Sequence, residues 1–144
     1  WVTYASYSGG KRPNPTYEQV CTGVTGHAET INVIYDDKII TTKDILKIFW
    51  ECHDPTQGMK QGNDIGEQYR SVIYCTNNEQ LELTNMTKKL YEKVLVDRGH
   101  TAITTEININ QSSYPAEEYH QQYLAKNPDG YCGIKGTGCA LPPL

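Results

Sequence analysis

Two periodicities divide this chain. In residues 29–35, Ile31, Val33 and Tyr35 recur at every second position, and residues 101–109 alternate again through Ile103, Thr105, Ile107 and Ile109. A period of two is the mark of a half-buried strand. Residues 2–8 and 71–75 read as two further short strands, the first closed by Gly9-Gly10. A period near 3.6 takes over where Thr41, Thr42 and Asp44 supply cap candidates and an early carboxylate, the signals of a helix start. Ile45, Ile48, Phe49 and Cys52 then form one apolar stripe. Residues 79–96 carry a second stripe of Leu83, Met86, Leu90 and Val94, and Arg98-Gly99 ends that helix. A short helix is expected over residues 116–126, stopped at Asn127-Pro128, while Pro15 delays regular structure after the first strand.

This order predicts a single α+β domain over residues 1–144, with a mixed or antiparallel sheet and helices on one face. A ferredoxin-like β-α-β-β-α-β arrangement fits if one strand and one helix precede Trp1. The expectation is then of a groove in the sheet where that strand belongs. Residues 127–144, rich in glycine and small residues, are expected to form a flexible irregular tail.

Composition narrows the function. A net charge of −4 gives no footprint for nucleic acid. No apolar run approaches the ~20 residues of a membrane-spanning helix. Five cysteines without a compact framework point to a reducing setting, the cytoplasm or the interior of an organelle, where thiols serve chemistry more often than structure. The chain opens on Trp1 without an initiator methionine, which suggests a processed or incomplete sequence. Eleven tyrosines against one phenylalanine suit a polar pocket, because a buried hydroxyl requires a partner.

The stretch from His53 to Ser71 holds three glycines, a proline and two aspartates, yet also Met59, Ile65 and Tyr69. Loops of more than about a dozen residues are uncommon unless they carry function, so this one is expected to form a site. Glu29 opens a strand, and partial desolvation there would favour its acid form, as a proton donor near neutral pH requires. Taken alone, such a glutamate is more often a solvated strand start. Cys132 and Cys139 are separated by six residues, three of them glycine, which suits a thiol relay as well as an inert pair. Zinc is a weak reading, since no C-x-x-C is present. Cys21, Cys52 and Cys75 read as small hydrophobes of core or strand.

Together these pieces resemble the A-class peptide methionine sulfoxide reductases. The resemblance is carried by Ser8-Gly9-Gly10, Asn14-Pro15-Thr16-Tyr17, Gly26-His27-Ala28-Glu29, Phe49-Trp50 and His53 through Met59. Gln61-Gly62-Asn63-Asp64, Gln68-Tyr69-Arg70-Ser71, Thr104-Thr105-Glu106, Tyr119 through Tyr123, and Asn127 through Gly133 continue it in the family's order. It implies reduction of methionine S-sulfoxide, free or in proteins, by thiol chemistry. The reductant would be thioredoxin, or dithiothreitol in vitro, with no cofactor or metal and a monomeric enzyme. Glu29 would protonate the sulfoxide oxygen, and Tyr17 and Tyr69 would hold it. Asp64 and His120 would orient the substrate pocket and Tyr123 would line it. Cys132 would be the resolving thiol, with Cys139 farther out toward solvent to pass the disulfide on.

The family's nucleophile lies in a Gly-Cys-Phe-Trp motif that does not occur here. By order it is expected upstream of Trp1, which would leave residues 1–144 alone unstable and inactive. Two rivals make different demands. A non-catalytic module that binds oxidised methionine would keep Tyr17, Glu29 and Tyr69 but have no use for Cys132 and Cys139. A metal-dependent hydrolase would need His53, Asp54, Asp64, Glu118 and His120 to converge, and no compact signature shows that they do.

Overall fold

In the computed structural model, which describes residues 2–144, the elements follow in order β1 (Val2–Ser8), α1 (Tyr17–Cys21), β2 (Ala28–Ile34) and α2 (Thr42–Cys52). Then come the short hairpin β3 (Lys60–Gln61) and β4 (Asp64–Ile65), β5 (Val72–Cys75) and α3 (Asn78–Asp97). The chain closes with β6 (Glu106–Ile109), β7 (Ser113–Pro115) and α4 (Tyr123–Lys126). Single 3-10 turns occupy Glu67–Tyr69 and Glu118–His120. This is an α+β fold with an antiparallel sheet, as the two periodicities predict.

β1 is central in a three-stranded antiparallel sheet ordered β2-β1-β7. It pairs with β2 over its whole length, Val2 opposite Ile34 and Ser8 opposite Ala28. One face of this sheet is a ladder of small polar groups. Ser6 and Ser8 each share a hydrogen bond of 2.8 Å with Thr30, and Ser8 and Asn32 both meet Ser113. On the other face Tyr7, Val20 and Ala116 form a small apolar cluster with Ala5 and Tyr17. Ile31 lies on this second face, opposite Ala5, but is itself exposed, because the apolar cluster gathers around Tyr7 and does not reach it.

β5 and β6 form a separate parallel pair. Parallel neighbours need a crossover of a dozen residues or more, and α3 provides it. A cleft of about 530 Å³ opens between the two sheets at the Ile34 end of β2, lined also by Thr76, Gln80 and Leu83. Glu29 lies toward the other end of that strand, so this cleft is not beside the candidate pocket. The strand expected over residues 101–109 begins only at Glu106. The Ile103 amide is taken by the Glu92 carboxylate at 2.8 Å, and that of Thr104 by the Pro55 carbonyl at 2.8 Å, which draws the chain out of the ladder. The helix expected over residues 116–126 is broken by Gln122, whose φ of 54° is left-handed.

Thr41 and Asp44 make the capping box at the start of α2. Both helices nevertheless face inward along stripes one position away from the expected ones. Leu46 and Trp50 are buried in α2, while Ile48 and Cys52 are exposed. In α3 the buried residues are Thr84, Thr87, Tyr91 and Leu95, and Met86 is exposed. The cause is polar pairing: the Trp50 indole donates to the Thr87 hydroxyl at 2.9 Å, and Cys75 meets Thr84. A buried hydroxyl with a partner costs little, so threonine takes a core position that an apolar count assigns elsewhere. The main core joins Leu46, Trp50, Tyr91, Leu95, Ile103 and Leu141.

Leu141 brings the tail back into that core. On the way Tyr91 donates to the Cys139 carbonyl at 3.1 Å and shares a hydrogen bond with Thr137 at 2.9 Å. The tail has no regular structure past α4, but it is anchored rather than free-standing at its far end.

Candidate active site

Three backbone segments bring the acid and the hydroxyls together. Thr16 caps α1 through a reciprocal pair with Gln19, which places Tyr17 in the first turn. Val20, fully buried, pins that helix beneath β1. The second segment is Gly26-His27-Ala28-Glu29. His27 is wholly buried, accepts from the Gly10 amide at 3.0 Å and donates from its other nitrogen to the Arg12 carbonyl at 2.6 Å. A side chain at Gly10 would fall 2.4 Å from the Thr25 carbonyl, so only glycine permits this approach. The third is the turn Glu67–Tyr69, which packs on β2.

Glu29 is open to solvent on one side but crowded on the other. Desolvation first, and then the Asp64 carboxylate, push its carboxyl above the usual range. Tyr69 is pushed up by burial and then by Glu29, and Tyr17 chiefly by its hydrogen bond with Cys21. Both phenols therefore stay protonated as donors. Tyr17, Tyr69, Glu29 and Asp64 lie near enough to act on one another's charge. His120 stacks on Tyr17 with ring centroids 4.6 Å apart, and its Nε2 lies 3.9 Å from the Glu117 carboxylate without a hydrogen-bond partner. Tyr123 is exposed, and the contact the fold gives it is with the tail at Gly130.

The tail reaches this group at Asp64. A side chain on Gly133 would fall 2.6 Å from its carboxylate and 2.7 Å from the Tyr131 hydroxyl. Cys132, between them, is exposed at the edge of the site. Cys139 is only half-exposed and packs against the main core, so the expectation that it lies farther out than Cys132 is overturned. Its carbonyl is held by Tyr91 and its neighbours are buried apolar groups.

Pattern reasoning missed several neighbours. Tyr7 lies opposite Glu29 in the β1–β2 register, is 2% exposed, and donates to Glu117 at 3.1 Å. Cys21 is not a core residue: it ends α1 exposed. Cys52 is exposed as well, and only Cys75 is buried as expected. Their spacing gave no signal, since α1 is a five-residue helix entered straight from a proline-rich loop.

The residues of the hydrolase rival are otherwise engaged. His53 is buried with one nitrogen on the Phe49 carbonyl at 2.6 Å and the other on Ser71 at 2.7 Å. Asp54 accepts from Thr56 and Gln57 within its own turn. Neither has a free face for a shared ion.

Comparison with known proteins agrees with this geometry. The model of the peptide methionine sulfoxide reductase family matches residues 2–139. A peptide methionine sulfoxide reductase MsrA of Brucella melitensis is 54% identical over 142 residues, 99% of this chain and 65% of the relative. The chain thus spans just under two thirds of the length of such curated relatives. Methionine sulfoxide reductase A of Corynebacterium diphtheriae superposes with a TM-score of 0.86 at 41% identity, over 99% of this chain and 72% of that one. Mxr1 from Saccharomyces cerevisiae in its reduced form gives 0.80 at 36% identity, over 91% and 74%. On the family match, the ordered motifs and the fold, this chain belongs to the peptide methionine sulfoxide reductase family.

Proposed function

We propose that this chain forms the acid and resolving portion of an enzyme that reduces methionine S-sulfoxide, free or in proteins, to methionine. The observation that carries the reading is Glu29, a carboxyl held toward its acid form beside two phenol donors, with a thiol at the edge of the same group. A thiolate attacks the sulfoxide sulfur. Glu29 gives its proton to the oxygen while Tyr17 and Tyr69 hydrogen-bond it, because the bond to oxygen breaks only as that oxygen is protonated. The oxygen passes to the attacking sulfur as a sulfenic acid and methionine leaves. The Cys132 thiol then attacks the sulfenic sulfur, a disulfide forms and water departs. Exchange with Cys139 moves the disulfide to the core side of the tail, and a dithiol, thioredoxin or dithiothreitol, restores the thiols. Selectivity for one sulfoxide epimer is carried over from the family.

Since Gly-Cys-Phe-Trp does not occur among these residues, the test uses the complete protein. Incubated with a peptide bearing S-sulfoxide and with dithiothreitol, it should release the methionine peptide and leave the R epimer untouched. Binding of the sulfoxide without reduction would instead support the non-catalytic module.

A further inference from the structure

We infer that Arg70 is a positioning residue for the proposed reaction, setting where the Tyr69 hydroxyl stands relative to the Glu29 carboxyl. Its guanidinium bridges the two backbone segments that carry them. One nitrogen donates to the Glu67 carbonyl at 2.8 Å, inside the turn that ends at Tyr69. Another donates to the Gly26 carbonyl at 2.9 Å, three residues ahead of Glu29. The two partners are far apart in sequence, and the guanidinium ties their segments together in addition to the packing of the turn on β2.

Arg70 is itself held from the far side. The same nitrogen lies 3.6 Å from the Glu106 carboxylate and 3.5 Å from the Tyr74 hydroxyl, and Tyr74 donates to Glu106. Its side chain is only 12% exposed. Room for Tyr74 comes from Gly9, where a side chain would fall 2.0 Å from the phenol oxygen. A planar fork with several donors spans two carbonyls and a carboxylate at once, whereas the compact ammonium of lysine does not. Arg70 touches no reacting atom on this geometry. Its effect is on distance, and a misplacement of about 1 Å in a catalytic group can cost on the order of 100-fold.

The inference rests on the reductase reading, and the test separates the two. In the complete protein, R70A and R70K should each lower kcat on a methionine S-sulfoxide peptide by about 100-fold, with KM changed little. The pH of the alkaline limb should stay in place, because the charges acting on Glu29 are untouched. Added guanidinium ion should restore part of the R70A loss, and E106Q should fall between R70A and the unaltered protein. If R70A does not fold, R70K and E106Q carry the comparison. A kcat for R70K equal to that of the unaltered protein would overturn this inference alone. So would a folded R70A that guanidinium does not help. No turnover in the unaltered protein would overturn the reductase reading and this inference with it.

Discussion

Glu29 and Cys132 stand at the same site on backbones of opposite character. The glutamate opens a fully paired strand, two residues from a wholly buried histidine whose ring nitrogens both hold backbone groups. The cysteine sits in irregular chain, exposed, beside Gly133, which approaches Gly62 and the Asp64 carboxylate. Proton donation rewards a group fixed before the reaction, since reorganisation at the moment of bond breaking costs rate. Thiol exchange asks instead that one sulfur travel to the next. The acid thus stands on paired backbone, while the Cys132 thiol stands on irregular chain.

The largest effect is expected from Glu29→Gln in the complete protein. It should lower kcat/KM by roughly 10²–10⁴-fold, the range for a lost general acid, measured under dithiothreitol. An undiminished rate would remove the acid from the fixed half. Tyr69→Phe should cost less, up to about 10²–10³-fold, because Tyr17 remains to hold the oxygen.

Cys132→Ser probes the other half by splitting two assays. One equivalent of methionine should still form in a single turnover, while multiple turnover with thioredoxin collapses. Loss of the first equivalent too would mean that the tail shapes the acid site. A finer contrast is in pH. Activity that needs protonated Glu29 falls as pH rises through its elevated pKa, so the alkaline limb should lie above the ordinary carboxylate range. Asp64→Asn removes one of the two causes of that elevation and should move the limb to lower pH. A limb that stays put would show that burial alone sets it.

The smallest effect on turnover, but a clear one on stability, is expected from His27→Ala. It leaves the Gly10 amide and the Arg12 carbonyl without their partner, at about 1–3 kcal/mol for each group left buried. Denaturant unfolding should show that loss, whereas Cys132→Ser should leave the midpoint within about 0.5 kcal/mol, as for most surface changes.

Much of the fixed half was legible before any coordinates. β1 falls on the expected residues 2–8, and the cap of α2 is written in Thr41 and Asp44. What escaped has one physical source: hydrogen bonding between distant residues. Thr84, Thr87 and Tyr91 count as polar along the chain, yet Trp50, Cys75 and Thr137 complete them inside the fold. Arg70 enters the sequence reading only as part of a motif, and its bridge between Gly26 and Glu67 is set by the fold. Cys139 is expected toward solvent because a relay needs its outer thiol to meet a partner, and its packing against the core and the Tyr91 hydroxyl turn it inward instead.

The burial of Leu141 turns the tail from an arm into a closed span, fixed at α4 on one side and in the main core on the other. A span tied at both ends cannot wander, so its sulfurs explore a bounded volume. Within short flexible connections the effective concentration of one group at another is on the order of millimolar. For the proposed relay, that bounded volume would keep Cys132 near the Asp64 end of the site. Cutting the anchor, by Leu141→Ala or by ending the chain before it, dilutes that thiol without touching a reacting atom.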